Sequence, residues 1–220
     1  MDYLVEELNY KGYKIKIYID DLTEDPRNWD NLGIMLCFHR RYNLGDNLGI
    51  SFSQFSSWEE VRQYIRKELE GILLMPLYLL DHSSLWIKTS PFMEDPQGWD
   101  TSFVGYIFTT KEKIRKNFGI KRITKKIIER VKEILENEVK VYSYYLSGQS
   151  YFFSIENEKR ENIESVGGFL GDFEESGLLE EAKSIIDYDI KRRQNLKVIK
   201  LKNLIKNKVE LEKREKLLTV

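Results

Sequence analysis

The chain has 220 residues, 41% of them hydrophobic and 13% aromatic, which suits one generous domain or two small ones with a core that needs no covalent staples. A single cysteine, Cys37, excludes an internal disulfide framework and a multi-cysteine zinc site, and no apolar run approaches the roughly 18 to 20 residues that span a bilayer. The start, Met1-Asp2-Tyr3-Leu4-Val5-Glu6-Glu7, lacks the basic and apolar regions of a signal peptide, so the expected location is cytoplasmic, with no membrane partner.

The 35 Lys and Arg nearly cancel the 36 Asp and Glu, but they are laid out in blocks. Basic and acidic residues number 10 against 17 over residues 1–110, 11 against 5 over 111–141, 3 against 11 over 142–190 and 11 against 3 over 191–220. Such blocks can face one another inside one fold, present a basic surface to nucleic acid, or offer an acidic surface to a basic groove on another protein.

In chain order, Tyr13 to Ile19 alternates apolar and polar residues with the period of a half-buried strand. After the acidic loop Asp20 to Asp30, the apolar run Ile34 to Phe38 suits a central strand covered on both faces, ending at His39-Arg40-Arg41. Ser57-Trp58-Glu59-Glu60 matches a capping box and opens a helix to about Glu70. Pro76 lacks the ladder donor, which predicts a strand beginning near Leu77, a turn at Asp81-His82-Ser83-Ser84 and a returning strand over Leu85 to Lys88. Phe103 to Phe108 reads as a strand, and Thr109-Thr110-Lys111-Glu112 as a second capping box for a short helix ending at Gly119. Ile128, Val131, Leu135, Val139, Tyr142 and Leu146 form the apolar stripe of a long helix capped at Gly148, with Lys125, Lys126, Arg130 and Lys132 on its solvent side.

Tyr151 to Ile155 and Ile163 to Val166 predict a hairpin, and Gly167-Gly168 with Gly171-Asp172 a loop or bulge. From Leu178 the pattern is helical, with a break expected near Gln194-Asn195. Residues 191–220 then form a basic amphipathic arm that packs on the domain of residues 1–190 or pairs in a homodimer, through Val198, Leu201, Ile205 and Val209 and the seven-residue repeat of Leu204, Leu211 and Leu218. The expected fold is α+β: a mostly antiparallel sheet with packed helices and a C-terminal helical arm.

The polar residues that stand out sit at strand ends. If the strands before His39-Arg40-Arg41 and Asp81-His82-Ser83 are neighbours, these residues share one rim, where open sheets bind ligands. There His39, His82 and Asp81 are candidates for proton transfer, and Arg40 or Arg41 for clamping a phosphate. The alternative makes both histidines ordinary turn residues and pairs the arginines with the Asp20 to Asp30 loop. The histidine spacing and the unordered acids of that loop match no metal site, Ser83 has no hydrolase elbow, and Cys37 reads as an inert thiol. The glycines match neither a dinucleotide nor a P-loop fingerprint, so no cofactor is expected. Lys125, Lys126 and Arg130, within the basic stretch Lys111 to Lys132, and the arm Lys191 to Lys216 could neutralise phosphates, and Tyr142, Tyr144 and Tyr145 could stack on bases, although Tyr142 has core spacing.

Asp25-Pro26-Arg27-Asn28-Trp29-Asp30-Asn31-Leu32-Gly33, running on into Cys37-Phe38-His39-Arg40-Arg41-Tyr42-Asn43-Leu44-Gly45-Asp46, resembles a family of uncharacterised bacteriophage and mobile-element proteins. Pro76-Leu77-Tyr78-Leu79-Leu80-Asp81-His82-Ser83, Thr89-Ser90-Pro91-Phe92, Trp99-Asp100, Val104-Gly105 and Glu112-Lys113-Ile114-Arg115 are similar to it too, so the likeness spans residues 13–172. The resemblance implies a setting in which small accessory proteins disarm host defence, CRISPR nucleases included, and it carries no catalytic residue. The expected function is therefore a binding protein that occludes a surface of a host nucleic-acid-targeting defence protein or its nucleic-acid complex. Arg40, Arg41, Trp29, Asp30, Trp99, Asp100, Lys125, Lys126 and Arg130 are its candidate contacts. The alternatives are an enzyme or sequestering protein acting on a nucleotide or phosphodiester at the rim, and a direct nucleic-acid binder.

Overall fold

The computed structural model describes residues 3–208. In chain order the elements are β1 (Leu4–Tyr10), β2 (Tyr13–Ile19), β3 (Ile34–Cys37), α1 (Trp58–Lys67), β4 (Gly71–His82), β5 (Ser84–Lys88), β6 (Thr101–Thr110), α2 (Lys111–Phe118), α3 (Lys125–Leu146), β7 (Ser150–Glu156), β8 (Asn162–Leu170) and α4 (Leu178–Lys208), with single 3-10 turns at Pro26–Asn28 and Phe52–Gln54. The fold is α+β, and its strands form two antiparallel four-stranded sheets. Chain contacts divide it into two compact units: a terminal unit made of the residues up to Asp20 and from Tyr151 onward, and an inserted unit, Asp21–Ser150.

In the terminal unit the strand order is β1-β2-β7-β8. Tyr13, Ile15 and Ile17 of β2 are buried and meet Phe153 and Ile155 of β7 and Leu178, Ala182 and Ile186 of α4 in one core. The four-residue spacing on α4 is the helical counterpart of the two-residue spacing on β2. Asp189, buried one turn further on, accepts a hydrogen bond from the Tyr13 hydroxyl at 2.8 Å and ion pairs with Arg193 at 2.6 Å, which fastens the helix to the sheet. The break expected at Gln194-Asn195 is absent: α4 continues to Lys208, because the segment holds no glycine or proline and Gln and Asn lower helix propensity only modestly. Beyond Arg193 the side chains of Leu196, Val198, Ile199, Leu201 and Leu204 are exposed. Val209, Leu211 and Leu218 of the anticipated seam lie outside the described residues. Strand β8 runs through Gly167 and Gly168 rather than ending before them.

The inserted unit has strand order β3-β6-β4-β5. On one face, Met35, Leu77, Leu79, Ile87, Val104 and Ile107 pack against Ile114 of α2 and Val131, Leu135, Val139 and Tyr142 of α3. On the other, Leu36 and Phe108 pack against Val61 and Ile65 of α1. Neighbouring residues such as Met35 and Leu36 thus serve opposite faces, which is why the strands read as unbroken apolar runs. Strand β3 is covered on both faces as expected, but it is an edge strand rather than a central one. Its open side is closed by the chain itself, through a bridge between Leu36 and Gly45 and a bond from the Asp46 amide to the Met35 carbonyl.

Strand β4 begins at Gly71 and includes Pro76, which is tolerated because β5 pairs only from Tyr78 onward, leaving the proline with a sheet neighbour on its β6 side alone. The cap of α2 is Thr110, which accepts from the Lys113 amide, while Thr109 is buried and donates to the Leu32 carbonyl. Among the described residues no helix is long and apolar enough to cross a membrane.

Between the pairs Leu77↔Gly105 and Tyr78↔Phe103, β6 carries one extra residue, Val104. This bulge puts Phe103 and Tyr106 on the same face although they are three residues apart, with ring centroids 5.2 Å from each other. Gly105 makes it possible, with φ 151 and a space so tight that an added Cβ would lie 2.0 Å from the Leu36 carbonyl oxygen. Replacing Gly105 with Ala should therefore cost about 2 to 4 kcal/mol of stability, read as a lowered urea midpoint with little change in far-UV circular dichroism.

Candidate functional site

Strands β3 and β4 are both antiparallel to β6, so their C-terminal ends lie at one end of the sheet with the start of β6 between them. They are not the direct neighbours that the rim hypothesis assumed, yet their ends are linked. Arg41 pairs with Asp81, the Tyr42 hydroxyl donates to Asp81 at 3.3 Å, and His39 stacks on Tyr42 with ring centroids 5.0 Å apart. His82 belongs to a second group: its Nδ1 lies 2.8 Å from Asp100, whose amide donates to Asp95. The arginines do not pair with the Asp20 to Asp30 loop, and Arg40 is exposed, without an ion pair among the described residues.

These placements define what the rim can do. His39 Nδ1 accepts from the Arg41 amide at 3.3 Å, and burial together with the Arg41 and Arg40 charges lowers the His39 pKa, against a smaller opposing effect of Asp81. Asp81 is committed to Arg41 and Tyr42, and His82 to Asp100, so the two histidines do not share a carboxylate in one proton relay. Burial pushes the Cys37 thiol up to about 12, which leaves it un-ionised and a poor nucleophile at neutral pH. Among the described residues no group of three or more His, Cys, Asp or Glu is arranged to hold a metal ion.

Beside the rim, along the open side of β3, lies a cleft of about 1090 Å³ bounded by the 26–28 turn, the chain from Cys37 to Phe52, and Trp58. One wall is aromatic. The Phe38 ring lies 5.4 Å from Phe52 and 5.9 Å from Trp58, Trp58 lies 4.6 Å from Phe103, and Phe103 lies 5.6 Å from Tyr78. This row crosses the sheet on the face that α1 covers only in part. Phe52 at the cleft mouth remains 37% exposed, with Arg40 also lining the cleft. The row escapes a reading along the chain because its members span residues 38 to 103. The available signal is that aromatics in β4 and β6 occupy the strand positions opposite Leu77, Leu79 and Val104.

The cleft floor rests on a buried charge cluster. Arg27, with 4% of its side chain exposed, donates to both oxygens of Asp46 at 2.8 and 2.9 Å and to the Gly33 carbonyl at 3.0 Å. Glu138 of α3 lies 3.5 Å from the guanidinium and accepts from the amides of Leu32 and Gly33, and Asp46 also accepts from the Met35 amide. Burial opposes the Arg27 charge, but the two carboxylates outweigh it and raise the Arg27 pKa. Burial raises the Glu138 pKa, with the two amides and Arg27 opposing.

The other candidates lie apart. Trp29 is 45% exposed beside Asp30 after the 26–28 turn, and Trp99 is 84% exposed in the loop that precedes β6. Lys125, Lys126 and Arg130 are exposed on the first two turns of α3. No family model, curated protein or solved structure matches the chain.

Replacing Arg27 with Met strands two partly buried carboxylates and should lower stability by about 3 kcal/mol in urea titration, with part of the loss recovered by adding Asp46→Asn. The His39 imidazole, followed by NMR, should titrate below the unfolded value of about 6.5, and Arg41→Ala should move its midpoint up. Since the folded-state pKa is the lower one, the His39 contribution to stability is present above pH 6.5 and is lost as pH falls through the folded-state midpoint. A midpoint above 6.5 would contradict this account of the rim.

Proposed function

We propose that the chain is a non-catalytic binding protein that uses the cleft and aromatic wall of the inserted unit to cover a surface on a macromolecular partner. In the mobile-element setting implied by the resemblance, that partner is a host nucleic-acid-targeting defence protein or its nucleic-acid complex, such as a CRISPR effector. The observation that supports this reading is a contrast at one end of the sheet. The rim groups suited to chemistry are engaged with one another, while the adjacent cleft presents Phe52, Phe38 and Trp58 beside Arg40, which makes no ion pair among the described residues. Aromatic residues and arginine are the types that dominate binding energy at protein interfaces, where they work as anchors in pockets.

Cells carrying a CRISPR system and challenged with a targeted phage test this directly. Expression of the chain should restore plaque formation, and the purified protein should bind the effector at a fixed ratio. A Phe52→Ala, Arg40→Ala double variant, chosen because both side chains are exposed, should weaken that binding at least about tenfold, the equivalent of about 1.4 kcal/mol, while keeping the thermal midpoint. Unaltered inhibition by the double variant, or turnover of a nucleotide by the purified protein, would reject the reading.

A further inference from the structure

The other face of the inserted unit carries a surface that the cleft does not use. Residues 111–132 hold ten Lys and Arg against two acids, Glu112 and Glu129, whereas the rest of the inserted unit holds 8 basic and 16 acidic residues. The basic residues of the unit are therefore concentrated in α2, the 119–124 connection and the first two turns of α3.

Several features make this elbow a preformed surface. Gly119 closes α2 in the left-handed region, with φ 63. Arg115 donates from Nε to the Lys121 carbonyl at 3.2 Å, and the Arg130 guanidinium lies 5.7 Å from the centre of the Phe118 ring. Ile114 is buried, and Phe118, Ile120, Ile123 and Ile127 pack against the core, so the elbow turns its apolar side chains inward and its cations outward. Lys111, Lys116, Lys121, Arg122, Lys125 and Lys126 are all exposed and make no ion pair among the described residues, and the one ion pair of residues 111–132 is Lys132 with Glu136 at 3.6 Å. Lys125 and Lys126 also open a 22-residue helix with no acid in its first turn, where the helix dipole disfavours cations. A bound phosphate reverses that disadvantage.

We propose that this elbow binds the phosphate backbone of duplex nucleic acid, without base readout. A protein partner would call for apolar anchors at the centre of the patch, and an anionic membrane would be held by exposed apolar side chains among the cations; the elbow offers neither. A single strand would be gripped by stacking on exposed rings, but Phe118, the aromatic residue of the elbow, is half-buried against the core beneath Arg130. Unpaired cations on a braced surface match regularly spaced phosphates. The inference is independent of the cleft reading, because α2 and α3 pack on the sheet face opposite the one that meets α1.

The test is fluorescence anisotropy of the full chain with 20-base-pair DNA duplexes of two unrelated sequences, a 20-nucleotide oligo-dT, and vesicles containing phosphatidylserine. Both duplexes should bind alike and more tightly than oligo-dT. Neutralising about four phosphates predicts a slope of about −3.6 in log affinity against log salt, or about a hundredfold loss between 50 and 200 mM. Arg122→Glu, Lys125→Glu and Lys126→Glu together should weaken binding at least thirtyfold and flatten the slope, with an unchanged melting curve. The matching reversal of Lys197, Lys200 and Lys202 on α4 should have little effect, and the Phe52→Ala, Arg40→Ala variant none. Binding lost through the α4 variant but not the elbow variant, equal or tighter binding of oligo-dT, or binding to vesicles without binding to duplex would each overturn the proposal.

Discussion

A guanidinium cannot be buried without acceptors arranged around it, and Arg27 obtains them from places far apart in the chain. Asp46 comes from the loop after β3, Glu138 from the middle of α3, and the Gly33 carbonyl from the residue before β3. Both carboxylates are held in turn by backbone amides at Leu32, Gly33 and Met35. One charge thereby sets the entry of β3 into its sheet, the path of the loop along the β3 edge and the position of α3 beneath it. An ion cluster of this kind adds little net stability relative to apolar replacements, because desolvation offsets much of the attraction. What it does here is leave the three segments one arrangement in which every buried charge is answered.

Given that arrangement, the sheet of the inserted unit divides its chemistry between two faces. The face toward α2 and α3 is lined by non-aromatic side chains, while the aromatic positions lie on the face that α1 covers, where they join Leu36. The bulge at Gly105 maintains the division by shifting the alternation of β6 by one residue, so that Val104 and Ile107 face the helices while Phe103 and Tyr106 join the aromatic row. The result is a unit with an aromatic cleft on one side of the sheet and a cationic elbow on the other.

What could be read along the chain followed the range of the forces involved. The stripe of α3 was legible because 22 residues repeat one local rule, and the β4–β5 hairpin because its turn residues are adjacent. Strand β1 was missed since its side chains are mostly exposed and carry no apolar alternation. The edge position of β3 was hidden because helices, and not sheet neighbours, cover its faces. The gathering of polar residues at the strand ends was anticipated in His39, Arg41 and Asp81, but the His82 partner, Asp100, lies 18 residues away across an irregular loop. The Arg27 cluster left no trace at all, its carboxylates being 19 and 111 residues distant.

The pairing of β2 with β7 has a bearing on how the chain is made. Ile17 sits opposite Phe153, so the sheet of the terminal unit joins residues that are synthesised far apart, with the whole inserted unit between them. Domains tend to fold as units during translation at roughly 5 to 20 residues per second, and the inserted unit is one contiguous stretch with apolar cores of its own. The β1–β2 ribbon then waits roughly 7 to 27 s at those rates for its third strand, holding the apolar face of Tyr13, Ile15 and Ile17 without a cover. Lys14 and Lys16, on the opposite side of the same strand and paired with Glu7 and Glu156 in the finished sheet, keep that waiting edge charged, the device by which β proteins discourage a nascent strand from pairing with another chain.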